Sequence, residues 1–266
     1  MPEVRPLITL LTDFGDRDWF VASMKGVILS IHPEACIVDI SHQISPHQIH
    51  EAAYVLESCY RYFPPGTVHV AVVDPGVGTC RRPLLVSTPR YHFLAPDNGL
   101  LTRVLRGEPE QEIRELHGAN YRIETKGATF DGRDVFAPAA AWLSKGESVE
   151  SLGRRVGDPV MLSVAEPVRQ DQAMIGAIEY VDRFGNLISN VTREHLCEFG
   201  ERARQQDLSI WVGSCVIRGI VSSYSEGKRD VPSALVNSCG KLEIFLDGNN
   251  ASEVLKLGVG AVIRLG

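Results

Sequence analysis

The sequence predicts an α/β domain with a largely parallel sheet, followed by a smaller domain rich in β-strands. From the start to about residue 160, apolar strand-like runs alternate with amphipathic helical segments, a pattern typical of a parallel sheet covered by helices. A segment rich in glycine, proline and charged residues follows at 153–170, and beyond it the sequence consists mainly of short strand-like runs. We therefore expect an N-terminal domain over 1–165 and a C-terminal domain over 171–266.

Each expected element follows from its local pattern. In the N-terminal domain, short apolar runs predict strands at 7–11, 35–40 and 67–74, and apolar residues at helical spacing predict helices at about 18–31 and 48–61. In the C-terminal domain, strands are predicted for the runs AMIGAIEYV, LSIWV, CVIRGIV, SALVNS, KLEIFL and AVIRL.

Composition excludes several classes of protein. The chain has 266 residues, 44% of them hydrophobic, and a net charge of −6 with scattered lysines and arginines. It therefore lacks the basic surface that nucleic acid requires. No apolar run is long enough to span a membrane, and no secretory leader follows Met1, so we expect a cytoplasmic protein. The six cysteines are widely spaced without a C-x-x-C motif, which favours reduced thiols.

Carboxylates follow three of the predicted strands. Asp13, Asp39 and Asp74 each stand at the carboxyl end of a strand, where ligands of α/β sheets bind; such residues also cap helices or close turns. In TDFGDRDW, Asp13 is followed by Asp16 and Asp18, but the spacing of an EF-hand is missing. We therefore expect no metal here, and a carboxylate in this loop suits the two hydroxyls of a ribose.

The stretch VVDPGVGTCRR places an acid before two arginines. Asp74 ends a predicted strand and Arg81 stands seven residues later, beyond a turn that contains two glycines. The third glycine and the following helix of a dinucleotide-binding motif are absent. A binding or catalytic pair and a structural salt bridge across the turn are both compatible with this pattern.

Two motifs of the C-terminal domain suit small-molecule recognition. In DRFGNLISN, Phe184 supplies an aromatic face and Asn186 a paired donor and acceptor, which together suit an adenine ring; a plain hairpin turn is the alternative. In VNSCGKLEI, Ser238 and neighbouring backbone N–H groups could hold a small carboxylate.

Seven segments of the chain together resemble one enzyme family. They are TDFG, VDISHQISPHQI, VVDPGVGT-x-RR, APDNGLL, TF-x-GRD-x-FAPAAA, DRFGNLISN and NS-x-G-x-LEI. In this order they resemble the S-adenosyl-L-methionine hydrolases that form adenosine, also called SAM hydroxide adenosyltransferases, which are related to fluorinase and chlorinase. The resemblance implies a C-terminal β-barrel-like domain and a homotrimer, with each site between the N-terminal domain of one subunit and the C-terminal domain of its neighbour.

The resemblance also implies a reaction and roles for single residues. Water or hydroxide attacks C5′ of S-adenosyl-L-methionine and releases adenosine and L-methionine, without a metal or organic cofactor. The implied catalytic positions are Asp74, Arg81 and residue 131. The implied substrate contacts are Asp13 with nearby Asp18 for the ribose, Phe184 and Asn186 for the adenine, Tyr224 stacked on the base, and Asn237 with Ser238 for the methionine end.

The chain departs from the family pattern at residue 131. Where the hydrolases have TFHGRD, this chain has TFDGRD, so Asp131 replaces the catalytic histidine, whereas Asp134 is expected to have a capping or structural role. Two carboxylates near one arginine could share a proton and keep a usable base. However, an extra anion would also stabilise the sulfonium charge that disappears in the transition state.

Two functions follow from this departure. The first is a hydrolase whose activity is altered by Asp131, with Asp74 and Arg81 favouring water over halide as the nucleophile. The second is a catalytically impaired protein that binds S-adenosyl-L-methionine or adenosine, whether Asp131 is natural or engineered.

Overall fold

The computed structural model describes residues 6–117, 121–124, 127, 129–200 and 208–266. The chain divides into two compact units, Met1–Leu162 and Ser163–Gly266. Within the described ranges, no helix has the length and apolar character needed to cross a membrane.

The first unit contains a seven-stranded mixed sheet. Its strands are β1 (Leu7–Thr12), β2 (Cys36–Ser41), β3 (Val68–Val72), β4 (Pro83–Ser87), β5 (His92–Pro96), β6 (Glu112–Leu116) and β7 (Gly153–Arg155). They are ordered β2-β1-β3-β5-β4-β6-β7. The first four in this order pair in parallel, and the remaining pairs are antiparallel. The predicted α/β class is confirmed, and the antiparallel half is an addition to the predicted sheet.

Helices cover both faces of this sheet. They are α1 (Phe20–Ile31), α2 (Ile49–Cys59), α3 (Thr102–Gly107), α4 (Ala137–Ser144) and α5 (Val149–Leu152). Side chains alternate along β1, so Leu10 packs in the core formed with α1 and α4, whereas Leu11 packs in the core formed with α2 and α3. Helix α1 buries Val21, Met24 and Ile28, the spacing of one helical face. This packing fixes the loops after β1 and β3 at one edge of the sheet.

The second unit is a barrel-like antiparallel sheet. Its strands are β8 (Val168–Gln170), β9 (Ala173–Val181), β10 (Leu187–Thr192), β11 (Ser209–Val212), β12 (Cys215–Arg218), β13 (Ser233–Val236), β14 (Lys241–Phe245) and β15 (Val262–Leu265). Seven follow the order β12-β11-β15-β9-β10-β14-β13, and β8 pairs with β9. Two short helices, α6 (Arg193–Gly200) and α7 (Ala251–Leu255), accompany them. The β-barrel-like fold implied by the resemblance is confirmed.

Candidate functional site

One arginine joins the two acids of the predicted catalytic set. Asp74 follows β3, and the loop after it turns back through Gly78, whose φ of 81° favours glycine. The Nε of Arg81 donates a hydrogen bond to Oδ2 of Asp74 at 2.9 Å, and its Nη2 contacts the same oxygen. The Nη2 also donates to Oδ2 of Asp131 at 2.5 Å. The fold therefore assembles all three residues in one ion-pair cluster.

The two carboxylates of this cluster differ in their free oxygens. Oδ1 of Asp131 lies 3.3 Å from Nη2 of Arg122, so both oxygens of Asp131 contact guanidinium groups. Oδ1 of Asp74 is buried and has no hydrogen-bond partner among the residues that the structure describes. Asp74 is consequently the carboxylate with one oxygen that no group of the described residues engages.

Arg122 is a member of the cluster that sequence reasoning missed. Its side chain is 58% exposed, and the surrounding run YRIET carries no motif that predicts a contact with residue 131. Arg81, by contrast, is held over the buried ring of Phe136 at 5.7 Å, a cation–π contact that supports its orientation.

A pocket of about 150 Å³ is lined in part by the two acids of the cluster. Its lining residues are Phe14, Phe20, Val72, Asp74, Val77, Thr129, Phe130, Asp131 and Gly132. The rings of Phe14 and Phe130 lie 5.7 Å apart in an edge-to-face arrangement, and Phe20 is 5.2 Å from Phe130. A Cβ on Gly132 would lie only 3.1 Å from Phe130 and 3.2 Å from Sδ of Met24. Two acids are thus held at the wall of a pocket whose other lining residues are mostly apolar.

The acids of the loop after β1 are not among the lining residues of this pocket. Oδ2 of Asp13 accepts a hydrogen bond from the backbone N–H of His47 at 2.9 Å. Asp16 accepts one from Nε2 of Gln43 at 2.5 Å, and Asp18 is exposed. Within the described part of the chain, no group of His, Cys, Asp or Glu side chains has the geometry of a metal site.

Asp39 and Asp134 both form local ion pairs. Asp39 lies within β2 and contacts Nζ of Lys25 at 2.6 Å and Nε2 of His42 at 3.0 Å. Burial opposes ionisation of Asp39, but these two partners hold its pKa below the usual value. Asp134 binds Nε of Arg133 at 2.6 Å and Nη2 at 3.0 Å. The N-cap of the π-helical turn Gly132–Phe136 that contains it makes no side-chain hydrogen bond, and the ion pair with Arg133 is compatible with a structural role for Asp134.

The second unit has an open pocket of about 610 Å³ that collects three predicted adenine contacts. Phe184, Asn186 and Tyr224 all line it, with Phe184 77% exposed. Oδ1 of Asp182 accepts the backbone N–H groups of Phe184 and Asn186 at 2.9 and 2.8 Å. Its Oδ2 accepts Nδ2 of Asn186 at 3.0 Å. Asp182 therefore fixes the turn. An aspartate two residues before Phe184 in DRFGN is the sequence feature that indicates this role.

The predicted methionine-binding pair lies beside this pocket and not among its lining residues. Asn237 donates from Nδ2 to Glu243 at 3.0 Å, and Glu243 accepts a second hydrogen bond from Tyr224 at 2.6 Å. Ser238 is exposed. Glu243 is a second residue that sequence reasoning missed, although it lies in the matched segment NS-x-G-x-LEI.

Comparisons with known proteins agree with this architecture. An uncharacterized conserved protein from Thermotoga maritima superposes with a TM-score of 0.90 at 33% identity, covering 97% of this chain and 99% of that chain. A conserved hypothetical protein from Thermus thermophilus gives a TM-score of 0.77 at 33% identity, with the same coverage.

Curated relatives carry functional names. The (R)-S-adenosyl-L-methionine hydrolase of Thermus thermophilus is 35% identical, covering 98% of this chain and all of that protein. The one from Methanocaldococcus jannaschii is 34% identical, covering 96% and 94%. A fluorinase from Nocardia brasiliensis is 30% identical over 74% of each chain.

Family models match both units. The SAM hydroxide adenosyltransferase N-terminal domain matches residues 8–153, and the C-terminal domain of the same family matches residues 176–264. Together with full-length relatives above 30% identity, these matches show that the chain belongs to the SAM hydroxide adenosyltransferase family.

Proposed function

We propose that this protein hydrolyses S-adenosyl-L-methionine to adenosine and L-methionine. The names of the full-length relatives support the substrate and the reaction. The observation that carries the proposal is Oδ1 of Asp74, a buried carboxylate oxygen without a hydrogen-bond partner among the described residues, in a residue that lines the pocket with Phe14, Phe20 and Phe130. Such an oxygen can accept a proton from a water molecule held in that pocket.

The proposed step is a displacement at C5′. The oxygen of water attacks C5′ and forms the new C–O bond, while the C5′–S bond breaks and its electron pair returns to sulfur. The sulfonium becomes the neutral thioether of methionine, so the leaving group needs no proton. The proton of the attacking water passes to Oδ1 of Asp74 and then to solvent, and the protein's main task is alignment and deprotonation.

In this proposal Asp131 orients Arg81 and is not the base. Both of its oxygens contact guanidinium groups, whereas Oδ1 of Asp74 has no partner among the described residues. Arg122 also supplies a positive charge for the extra negative charge that Asp131 brings, so the cluster of two acids and two arginines has no net formal charge. The opposing effect of an added anion on a reacting sulfonium is thereby reduced.

The substrate contacts implied by the family stay predictions. Phe184, Asn186 and Tyr224 are proposed to bind the adenine, a role supported by their shared pocket. Asp13 has one oxygen bound to His47 and is proposed to bind the ribose hydroxyls with the other. The remaining proposed contacts are Asp18 at the ribose and Asn237 with Ser238 at the methionine end. No metal or cofactor enters the proposed reaction.

A second candidate function is binding without turnover. The engagement of both Asp131 oxygens by arginines is the observation that favours it, because neither oxygen at the position of the family's histidine is free of a guanidinium contact. In that case the protein would bind S-adenosyl-L-methionine or adenosine without releasing product.

Incubation of the purified protein with S-adenosyl-L-methionine, followed by chromatography of adenosine, separates the two functions. Adenosine formed above the spontaneous rate supports the hydrolase. Tight binding of S-adenosyl-L-methionine without adenosine supports the binding function and contradicts the hydrolase. Because the relatives' names specify the (R) epimer at sulfur, the assay should use both sulfonium epimers, and we expect faster turnover of (R).

The choice of nucleophile and the assembly state have separate tests. High concentrations of chloride should give no 5′-chloro-5′-deoxyadenosine, and its detection would contradict the choice of water over halide. We propose a homotrimer with sites shared between subunits, as the family resemblance implies. Analytical ultracentrifugation should give a trimer, and a stable active monomer would contradict this assembly. The cytoplasmic location stays a prediction.

A further inference from the structure

Glu243 is a buried carboxylate that joins two residues proposed to contact substrate. It lies on β14 between β13 and β10, with 3% of its surface exposed. Its Oε1 accepts a hydrogen bond from Oη of Tyr224 at 2.6 Å, and its Oε2 accepts one from Nδ2 of Asn237 at 3.0 Å. No lysine or arginine of the described residues forms an ion pair with it. Burying a carboxylate without a cation costs free energy. The two hydrogen bonds offset part of this cost, and both come from residues proposed to contact substrate.

The first of these bonds anchors an otherwise exposed aromatic ring. Tyr224 begins a short 3₁₀ turn that contains no buried residue, and about half of its surface is exposed. Its ring forms a T-shaped pair with Phe245, with centroids 4.9 Å apart and an interplanar angle of 83°. Burial of its hydroxyl and the hydrogen bond to Glu243 raise the pKa of Tyr224, so it remains a protonated donor at neutral pH. The ring is thus held both by its hydroxyl and by its contact with Phe245.

The second bond fixes the carboxylate itself. Oδ1 of Asn237 accepts the backbone N–H groups of Cys239 and Lys241 at 3.0 and 3.1 Å, which closes the turn that leads into β14. With Oδ1 committed to this turn, the Nδ2 of Asn237 presents a donor to Glu243 from a fixed position. Asn237, Glu243 and Tyr224 therefore form a chain of hydrogen bonds from the sheet to the pocket.

We propose that Glu243 is a positioning residue that holds the ring of Tyr224 in the orientation that receives the adenine base. The inference rests on the proposed function, because it takes Tyr224 to stack on adenine. Without Glu243 the ring would be free to rotate, and ligand binding would have to immobilise it. Losing this preorganisation should weaken adenosine binding about threefold to tenfold. It should raise KM for S-adenosyl-L-methionine while changing kcat little.

The test is a double-mutant cycle on adenosine affinity, measured by isothermal titration calorimetry. The variants are Glu243→Ala, Tyr224→Phe, which keeps the ring but removes the anchoring hydroxyl, and the double variant. Glu243→Gln is the conservative variant, because a carboxamide can accept from Asn237 and donate to the Tyr224 oxygen. Ser189→Ala is the matched control: it removes a buried hydrogen bond to the carbonyl of Leu242 in the same sheet without touching the pocket. Thermal unfolding of every variant is measured in parallel.

We expect both single variants to bind adenosine less tightly than wild type. The affinity of the double variant should be no lower than that of the single variant with the lower affinity. Glu243→Gln should restore most of the affinity, and Ser189→Ala should lower the melting temperature with unchanged affinity. Additive effects, or a Glu243→Ala variant with lower melting temperature and normal affinity, would make Glu243 merely structural. Wild-type protein that binds adenosine but shows no turnover overturns the proposed hydrolase and leaves this cycle fully interpretable. Wild-type protein that binds no adenosine overturns both.

Discussion

The sharpest test of the proposed chemistry compares Asp74→Asn with Asp131→Asn. Each change keeps the shape of the side chain and removes one negative charge. In Asp74→Asn the unpartnered oxygen that is proposed to accept the proton of water is lost as a base, while Arg81 keeps its contact with Asp131 at 2.5 Å. Asp131→Asn changes a carboxylate whose two oxygens both already contact arginines.

The two substitutions should therefore differ in magnitude. Loss of a general base typically lowers the rate about 10²- to 10⁴-fold, equivalent to about 2.7–5.4 kcal/mol of transition-state stabilisation. We expect a fall of this size in kcat for Asp74→Asn, with the affinity for substrate nearly unchanged. For Asp131→Asn we expect a change of less than about tenfold, because part of its pairing is with the exposed Arg122 and weak.

Chromatographic measurement of adenosine release at saturating substrate gives kcat, and calorimetric titration gives affinity. Melting temperatures show whether either variant is unfolded, and Asp131→Asn serves as the matched control for loss of charge at Arg81. If Asp131→Asn reduces kcat as much as or more than Asp74→Asn, then Asp74 is not the principal base and the assignment from free oxygens is wrong.

Three further predictions concern the same pocket and the core beneath it. Asp131→His should raise kcat, because an imidazole is a good base near neutral pH and carries no negative charge; an unchanged or lower value would give Asp131 a role of its own. Gly132→Ala should lower stability by about 1–3 kcal/mol, since its Cβ would lie 3.1 Å from Phe130; denaturant unfolding that matches wild type would refute this crowding. Burial, with the nearby charge of His92, lowers the pKa of His69 to about 3, whereas the unfolded residue titrates near pH 6.5. The stability that neutral His69 contributes is thus fully present above about pH 6.5 and is lost as pH falls toward about 3, at up to about 1.4 kcal/mol per pH unit. His69→Gln should remove this part of the slope in chemical unfolding between pH 7 and 4, and an unchanged slope would contradict it.

The sequence predicts the elements with strong local patterns better than their arrangement. Helix α1 begins two residues later than expected and ends where expected, because its apolar spacing is regular. The antiparallel pairing in the first sheet is determined by the length of a connection and not by a local apolar pattern. Only residues 88–91 connect β4 and β5, too few for a crossover, so these strands must pair in antiparallel fashion. Alternation of strands and helices along the chain carries no information on such a pair.

Some site residues can be identified from the sequence, and others only from contacts in the folded chain. Asp74 and Arg81 are recognisable in the sequence because they flank one turn, and Asp131 because it departs from a family pattern. Arg122 and Glu243 act through contacts made only in the folded chain. Arg122 reaches Asp131 from a segment without a motif, and Glu243 reads in sequence as one residue of an ordinary strand. Its partners lie 19 and 6 residues away along the chain, and folding brings the three side chains together.

The contact between Asp131 and Arg122 changes how the family departure should be understood. Taken alone, an aspartate in place of a histidine adds a negative charge beside a reacting cation and removes a base. In the folded chain the added charge faces a second guanidinium at 3.3 Å, and Asp74 keeps a free buried oxygen. The charge added at Asp131 is therefore balanced within this fold by Arg122. A histidine restored at 131 would meet the positive charge of Arg122, so the gain from Asp131→His should be larger when Arg122 is also replaced by glutamine. Equal gains in the two backgrounds would mean that Arg122 does not balance Asp131 during turnover.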